Sequence, residues 1–179
     1  VVVTGSFIKG SATDGASPVE IISRETIDAL SASTVADITA NLAINNGSEN
    51  QVDSFTVGGG QGSSNVNLRG LGLTSTLVLL DGKRHTTAGI PANDGAVYVN
   101  TNIIPVNAIE RVEVLKEGAA SVYGSDAVAG VVNYIFRRNF DGLEIDVSTQ
   151  ETDLGGSTDD KISLIYGTSN ENGNFVFAV

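Results

Sequence analysis

The glycine-rich stretches are the first residues in this chain that could do chemistry, because backbone without side chains can wrap phosphates at the start of a helix. Gly58, Gly59, Gly60 and Gly62 form one run, and Gly70-Leu71-Gly72 a second. Neither suits a dinucleotide turn, which needs a strand before it, a helix after it and a third glycine, whereas a strand pattern follows here. A phosphate loop would end in Gly-Lys-Ser or Gly-Lys-Thr, but Gly82-Lys83 runs into Arg84. Tyr123-Gly124-Ser125-Asp126 lacks the second glycine of a nucleophile elbow, and His85, the single histidine, is the one base a serine could use. Asp153, Asp159 and Asp160 miss the spacing of an EF-hand calcium loop. With no cysteine, thiolate metal sites, disulfides and cysteine nucleophiles are excluded together. The sequence therefore nominates no catalytic group, no metal site and no cofactor.

Charge narrows the partners. The 179 residues carry a net charge of −11, and 8 of the 21 acids lie from Asp141 onward with Lys161 as their only base. A chain this acidic, with scattered bases, repels phosphate backbones, so nucleic acid is not an expected partner. No apolar run reaches the length of a membrane helix, which leaves a β-barrel strand open. The chain starts on Val1 without a basic-then-apolar leader, and so is expected to begin inside a longer gene product whose signal peptide is missing.

The elements that would position any site follow from periodicity. Val1 to Thr4 is a short β-prone run without a local partner, and a polar stretch leads to Ser17. Pro18 to Ser23 reads as a strand, with Ser23 capping a short helix whose Ile27 and Leu30 face inward. Thr34 and Asp37 form a capping-box pattern ahead of a second helix with the stripe Val35, Ile38 and Leu42. Residues 43–65 are loop chemistry. Val66 and Leu68 alternate with Asn67 and Arg69 as a strand would, and Leu77 to Leu80 is a buried strand closed by the tight-turn pair Asp81-Gly82. A second polar loop runs from Arg84 to about Thr101.

Ile109 to Phe136 is the most organised segment. Val112 and Val114 alternate with Arg111 and Glu113, a half-buried strand whose charged face needs partners. Gly118, Gly124 and Gly130 punctuate a small-residue turn around Ala119, Ala120 and Ser121, and Val131 to Phe136 runs apolar like a strand covered on both faces. Beyond it, Leu143, Ile145 and Val147 alternate with Glu144, Asp146 and Ser148. Segments headed by Ile162, Leu164 and Tyr166 and by Phe175, Phe177 and Val179 follow. Three antiparallel strands are expected; periodicity alone leaves soluble hairpins and outer-membrane barrel strands equally open.

Four segments in order resemble the plug domain of TonB-dependent outer-membrane receptors, a family that includes vitamin B12 and siderophore receptors. Val1-Val2-Val3-Thr4-Gly5 is similar to the end of a TonB box, and Asn67-Leu68-Arg69-Gly70 to the family's apolar-Arg-Gly strand. Leu77 to Arg84 (LVLLDGKR) resembles its central strand and turn, and Ile109 to Asn133 its IERVEVL…YGSDA…GVVN signature. Leu42 to Asn46 (LAINN) departs from the Leu-Pro-Gly-Val turn common in the family.

The resemblance implies an α+β fold: a small mixed sheet with two short helices, followed by antiparallel strands of a truncated transmembrane β-barrel. Residues 1–17 would be the TonB-box end and linker, 18–140 the plug, and 141–179 the first strands of a barrel of about 22 strands, which three strands cannot close. The acidic faces of those strands would point to the lumen, and Leu143, Ile145, Val147, Phe175 and Phe177 to lipid. It further implies a bacterial outer-membrane importer of a scarce solute such as a siderophore, cobalamin or carbohydrate, with TonB, the solute and membrane lipid as partners. Val1 to Gly5 would add as a strand to TonB. Arg69 and Arg111 would meet barrel glutamates outside this chain, although Arg111 could instead pair with Glu110 or Glu113. Arg84, His85, Asn93, Asp94 and Tyr98 would lie in apical loops facing the ligand. The rival expectation is a soluble periplasmic or extracellular binding module with its own hairpins; an enzyme using the glycine loops has no acid-base pair to work with.

Overall fold

A computed structural model describes residues 19–48, 62–117, 119–151, 158–170 and 173–179. The TonB-box segment Val1 to Gly5, the glycine run 58–60 and Gly118 lie outside the described residues.

The first sheet has five strands, β1 (Val19–Ser23), β2 (Thr76–Leu80), β3 (Lys83–Arg84), β4 (Ile109–Leu115) and β5 (Gly130–Phe136), in the order β1-β4-β5-β2-β3. Only β2 and β5 run parallel, so the sheet is mixed. Two short helices, α1 (Arg24–Ala29) and α2 (Val35–Ala40), pack on one face, and both start where their caps predict. Ser23 accepts from the Thr26 N–H, while the Thr34 hydroxyl accepts from the Asp37 N–H at 3.2 Å and the Asp37 carboxylate accepts from the Thr34 N–H at 2.7 Å. Ile27, Val35 and Ile38 are fully buried against Ile109, Val112, Val114, Val132 and Tyr134. Each such aliphatic side chain contributes roughly 1.5–3 kcal/mol by leaving water.

The opposite face is also covered, by a smaller cluster of Leu77, Leu79, Leu115, Val131 and Ala127. This explains why β2 and β5 lack alternation: both faces are core. Part of the cover is α3 (Ala120–Tyr123), a single turn that the small-residue pattern did not announce. Gly130 has φ 139°, and a Cβ there would lie 2.7 Å from the Leu115 carbonyl oxygen and from Leu68 Cδ1. Glycine is required at that crossing. Asp81 (φ 50°) and Gly82 (φ 77°) make the tight β2-β3 turn.

One expected strand is not formed. Val66 and Leu68 are buried, but among the described residues their segment makes only a single bridge, Leu68 to Asn45. Beyond the backbone bonds of that bridge, from the Asn46 N–H to the Asn67 carbonyl at 2.9 Å and the Arg69 N–H to the Ile44 carbonyl at 2.6 Å, side chains supply the rest: the Leu68 N–H donates to Thr76 Oγ1 at 3.0 Å and the Asn67 N–H to Asn45 Oδ1 at 3.1 Å. Arg69 (φ 61°) and Gly70 (φ 64°) then turn the chain through the left-handed region.

The second sheet is an antiparallel meander of β6 (Gly142–Glu151), β7 (Thr158–Asn170) and β8 (Gly173–Ala178). Its register puts Leu143 beside Tyr166, Ile145 beside Leu164, Val147 beside Ile162 and Tyr166 beside Phe177, so one face is a continuous apolar surface. Apart from the half-buried Leu164, its large apolar side chains are exposed, from 46% at Tyr166 to 74% at Ile162. The other face carries Glu144, Asp146, Ser148, Lys161 and Ser163 toward α1, and Ile165 there is fully buried.

Candidate functional site

β3 delivers the chain into the loop that holds most of the residues expected to meet a ligand. The loop is folded on itself: the Ala88 N–H donates to the Tyr98 carbonyl at 2.7 Å and the Ala92 N–H to the Ala96 carbonyl at 2.9 Å. Its floor is a small cluster of Leu73, Ala92 and Tyr98. A second segment is stapled alongside. Ser63 Oγ lies 2.8 Å from Tyr98 Oη, Ser64 Oγ lies 2.6 Å from Thr101 Oγ1, and Asn100 Oδ1 accepts from the Ser64 N–H at 3.1 Å. The result is an open pocket of about 300 Å³ lined by Ser63, His85, Thr87, Ile90, Asn100 and Ile103 among others.

The five residues expected there have different roles. His85 lines the pocket, half-buried, with Nδ1 2.9 Å from the Thr86 carbonyl oxygen. Tyr98 lines it too but is buried, its hydroxyl engaged by Ser63. Asp94 accepts from the Ala96 N–H at 2.8 Å and so closes a turn, with exposed Asn93 beside it. Arg84 reaches away, to Asp126 Oδ2 and the Tyr123 carbonyl, both at 2.6 Å. That guanidinium holds the Asp126 carboxyl below the usual carboxylate range. Ser63 and Asn100 belong to the pocket yet were not singled out by sequence, since nothing in their spacing separates them from any polar loop.

The two arginines expected to face the barrel both have partners within the first sheet and its loops. Arg111 binds Glu113 at 2.8 Å and Glu110 at 3.1 Å, the pairing that the sequence left open. Its Glu113 partner is fully buried, which makes the charged face of β4 a neutralised interior pair. Arg69 donates to the Lys116 carbonyl and lies 3.5 Å from Glu117, with about a third of its side chain exposed.

A second cavity, about 320 Å³, lies where α1 meets the inner face of β6 and β7, lined by Arg24, Asp28, Asn107, Glu144, Asp146 and Lys161 among others. Arg24 bridges Asp28 and the carbonyls of Val106 and Ile109, and its hydrogen bond keeps the Asp28 carboxyl below its ordinary range. Sequence could not show this cavity, because its walls come from segments more than a hundred residues apart. Among the described residues, no three His, Cys, Asp or Glu side chains converge as a metal site would require.

Comparison with known proteins places these features. The family model for the TonB-dependent Receptor Plug Domain matches residues 11–131. The iron-regulated outer membrane virulence protein of Vibrio cholerae serotype O1 is 32% identical over 140 residues, which is 78% of this chain and 20% of that protein. Among solved structures, the ferric citrate transporter FecA in its unliganded form superposes with a TM-score of 0.67 at 22% identity, covering 93% of this chain and 26% of its own. A double mutant of the ferric enterobactin receptor PfeA from Pseudomonas aeruginosa gives 0.62 at 24%, covering 88% and 23%. At such identities the structural likeness carries the fold, here a plug with part of its barrel. The chain spans about a fifth of the length of the curated relatives it matches. These relatives are receptors and transporters rather than enzymes, and the chain's location is the bacterial outer membrane. With its plug sheet, its outward-facing apolar meander and a family match over most of its length, this chain belongs to the TonB-dependent receptor plug-domain family.

Proposed function

We propose that this chain is the gate and the opening strands of a TonB-energised importer that brings a scarce solute, of the ferric-chelate class its relatives are named for, across the outer membrane. The observation that carries it is the two-faced meander. Its apolar face is exposed over three strands while its polar face packs on the plug, an arrangement suited to lipid outside and a filled lumen inside. A soluble module would leave that apolar surface in water. Deleting the gene should abolish uptake of a labelled ferric chelate under iron limitation, and so should loss of TonB; uptake that survives either deletion would refute the function.

The energising contact would be Val1 to Gly5. Strand addition relies on backbone hydrogen bonds, so Val2→Pro should stop uptake while Val2→Ile preserves it. Normal uptake by the proline variant of the intact receptor would remove this role. In the apical pocket His85 is the residue best placed to touch the solute, with Asn93 and Asp94 at the rim, while Tyr98 and Arg84 shape the surface through Ser63 and Asp126. Arg69 keeps an exposed guanidinium for a barrel carboxylate, and Arg111 would reach one only beside its bonds to Glu110 and Glu113.

A further inference from the structure

The segment joining the two sheets, residues 137–141, has the position of a linker, yet it is held from every side. Arg137 donates from Nη1 and Nη2 to the Glu144 carboxylate on β6 at 3.2 Å, and from Nη1 to the Asn107 carbonyl at 3.3 Å. Its guanidinium lies 4.3 Å from the centre of the Phe140 ring, within range of the ring's attraction for a cation. Phe140 rests on β7. A Cβ at Gly167 would meet the Phe140 carbonyl oxygen at 2.4 Å, so glycine is what allows the approach. From β8, Asn174 Nδ2 donates to the Arg138 carbonyl at 2.6 Å and to Asn139 Oδ1 at 3.1 Å. On the plug side the Arg137 N–H donates to the Ala108 carbonyl at 2.8 Å, Asp81 accepts from the Phe136 N–H at 3.1 Å, and Arg138 pairs with Asp81 at 3.3 Å.

An ordinary exposed ion pair would add little. Arg137 differs because its side chain is only 19% exposed and unites a carboxylate, a carbonyl and a ring drawn from three segments. We propose that Arg137 is the positioning residue of a rigid joint that fixes the C-terminal half of the plug to the first three barrel strands and keeps the seam beside it closed to ions. The joint rests on the importer function proposed above, and sits at the opposite end of the plug sequence from β1, which among the described residues is an edge strand paired with β4.

The intact receptor tests this by hydrogen exchange at the Phe136 and Arg137 amides and by ion conductance in planar bilayers. In Arg137→Ala, exchange at those amides should rise roughly tenfold, the order expected for losing charge-assisted hydrogen bonds. Conductance should rise with it, while β1 amides exchange as in the wild type. Glu144→Gln should show a smaller rise in the same direction, and the charge-swapped pair Arg137→Glu with Glu144→Arg should recover part of the loss. If Arg137→Ala does not assemble, Gly167→Ala and Glu144→Gln carry the same test. Wild-type exchange and conductance in these variants would overturn the joint, as would an equal rise at β1, which marks general loosening. Neither readout needs a solute or TonB, so a failure of import would leave the result intact.

Discussion

The five-stranded and three-stranded sheets are built from the same apolar residue types and expose them in opposite ways. In β4 and β5, Val112, Val114, Val131, Val132 and Tyr134 are fully buried. In β6, β7 and β8, Leu143, Ile145, Val147, Ile162 and Phe175 are all more than half exposed. A water-soluble domain would not leave a three-strand apolar face uncovered. The contrast separates a sheet covered by protein on both faces from one covered by protein on one face only, whose other face is the one proposed above to meet lipid.

The contrast can be broken most severely at the crossing of the plug core. Gly130→Val imposes left-handed strain and overpacking, each costing roughly 1–3 kcal/mol. Its added atoms would collide with the Leu115 carbonyl and Leu68. Equilibrium unfolding of the purified receptor should show the plug destabilised, and more so than by Gly142→Val, where the backbone is also left-handed (φ 127°) but, among the described residues, no atom lies within 4 Å of an added Cβ. On the meander, Ile145→Arg should cost up to about 2–4 kcal/mol in folding into bilayers if that face meets lipid, and Asp146→Ala about 0.5 kcal/mol or less. Equal effects at the two positions would mean both faces are wet. Thr34→Ala removes the hydroxyl of the α2 capping box and should lower plug stability by about 1 kcal/mol without touching the meander. No loss is expected at Tyr134, whose buried hydroxyl has no hydrogen-bond partner among the described residues and whose ionisation is pushed up by burial. Tyr134→Phe should be neutral or stabilising within about 1 kcal/mol, since nothing is left unpaired; a clear loss in the same unfolding assay would reveal a partner for that hydroxyl.

Local chemistry was well marked in the sequence. The caps at Ser23 and Thr34, the Asp81-Gly82 turn, the uninterrupted β5 and the alternation of β6 all form where residue type and period place them. Val66 and Leu68 show the limit. Their alternation is real and both are buried, but past one bridge to Asn45 it is the Thr76 hydroxyl and the Asn45 amide that supply hydrogen bonds a longer strand pairing would have given. Side-chain partners that arise from distant segments leave no periodic trace. For the same reason Ser63 and Asn100 were indistinguishable from other loop residues, and Arg84 could be placed in a ligand-facing loop though its guanidinium turns to Asp126.

Sequence by itself determined most of the elements, the family and the two-faced character of the last three strands, because these depend on φ, ψ preferences and on which side of each strand is apolar. Tertiary structure alone decided the partners of the charges. Arg84 turned to Asp126, 42 residues on, and Arg137 joined the Asn107 carbonyl, 30 residues back, to the Glu144 carboxylate of β6. A guanidinium has five donors and a long stem, so its neighbours are set by the packing of whole sheets and not by its place in the chain.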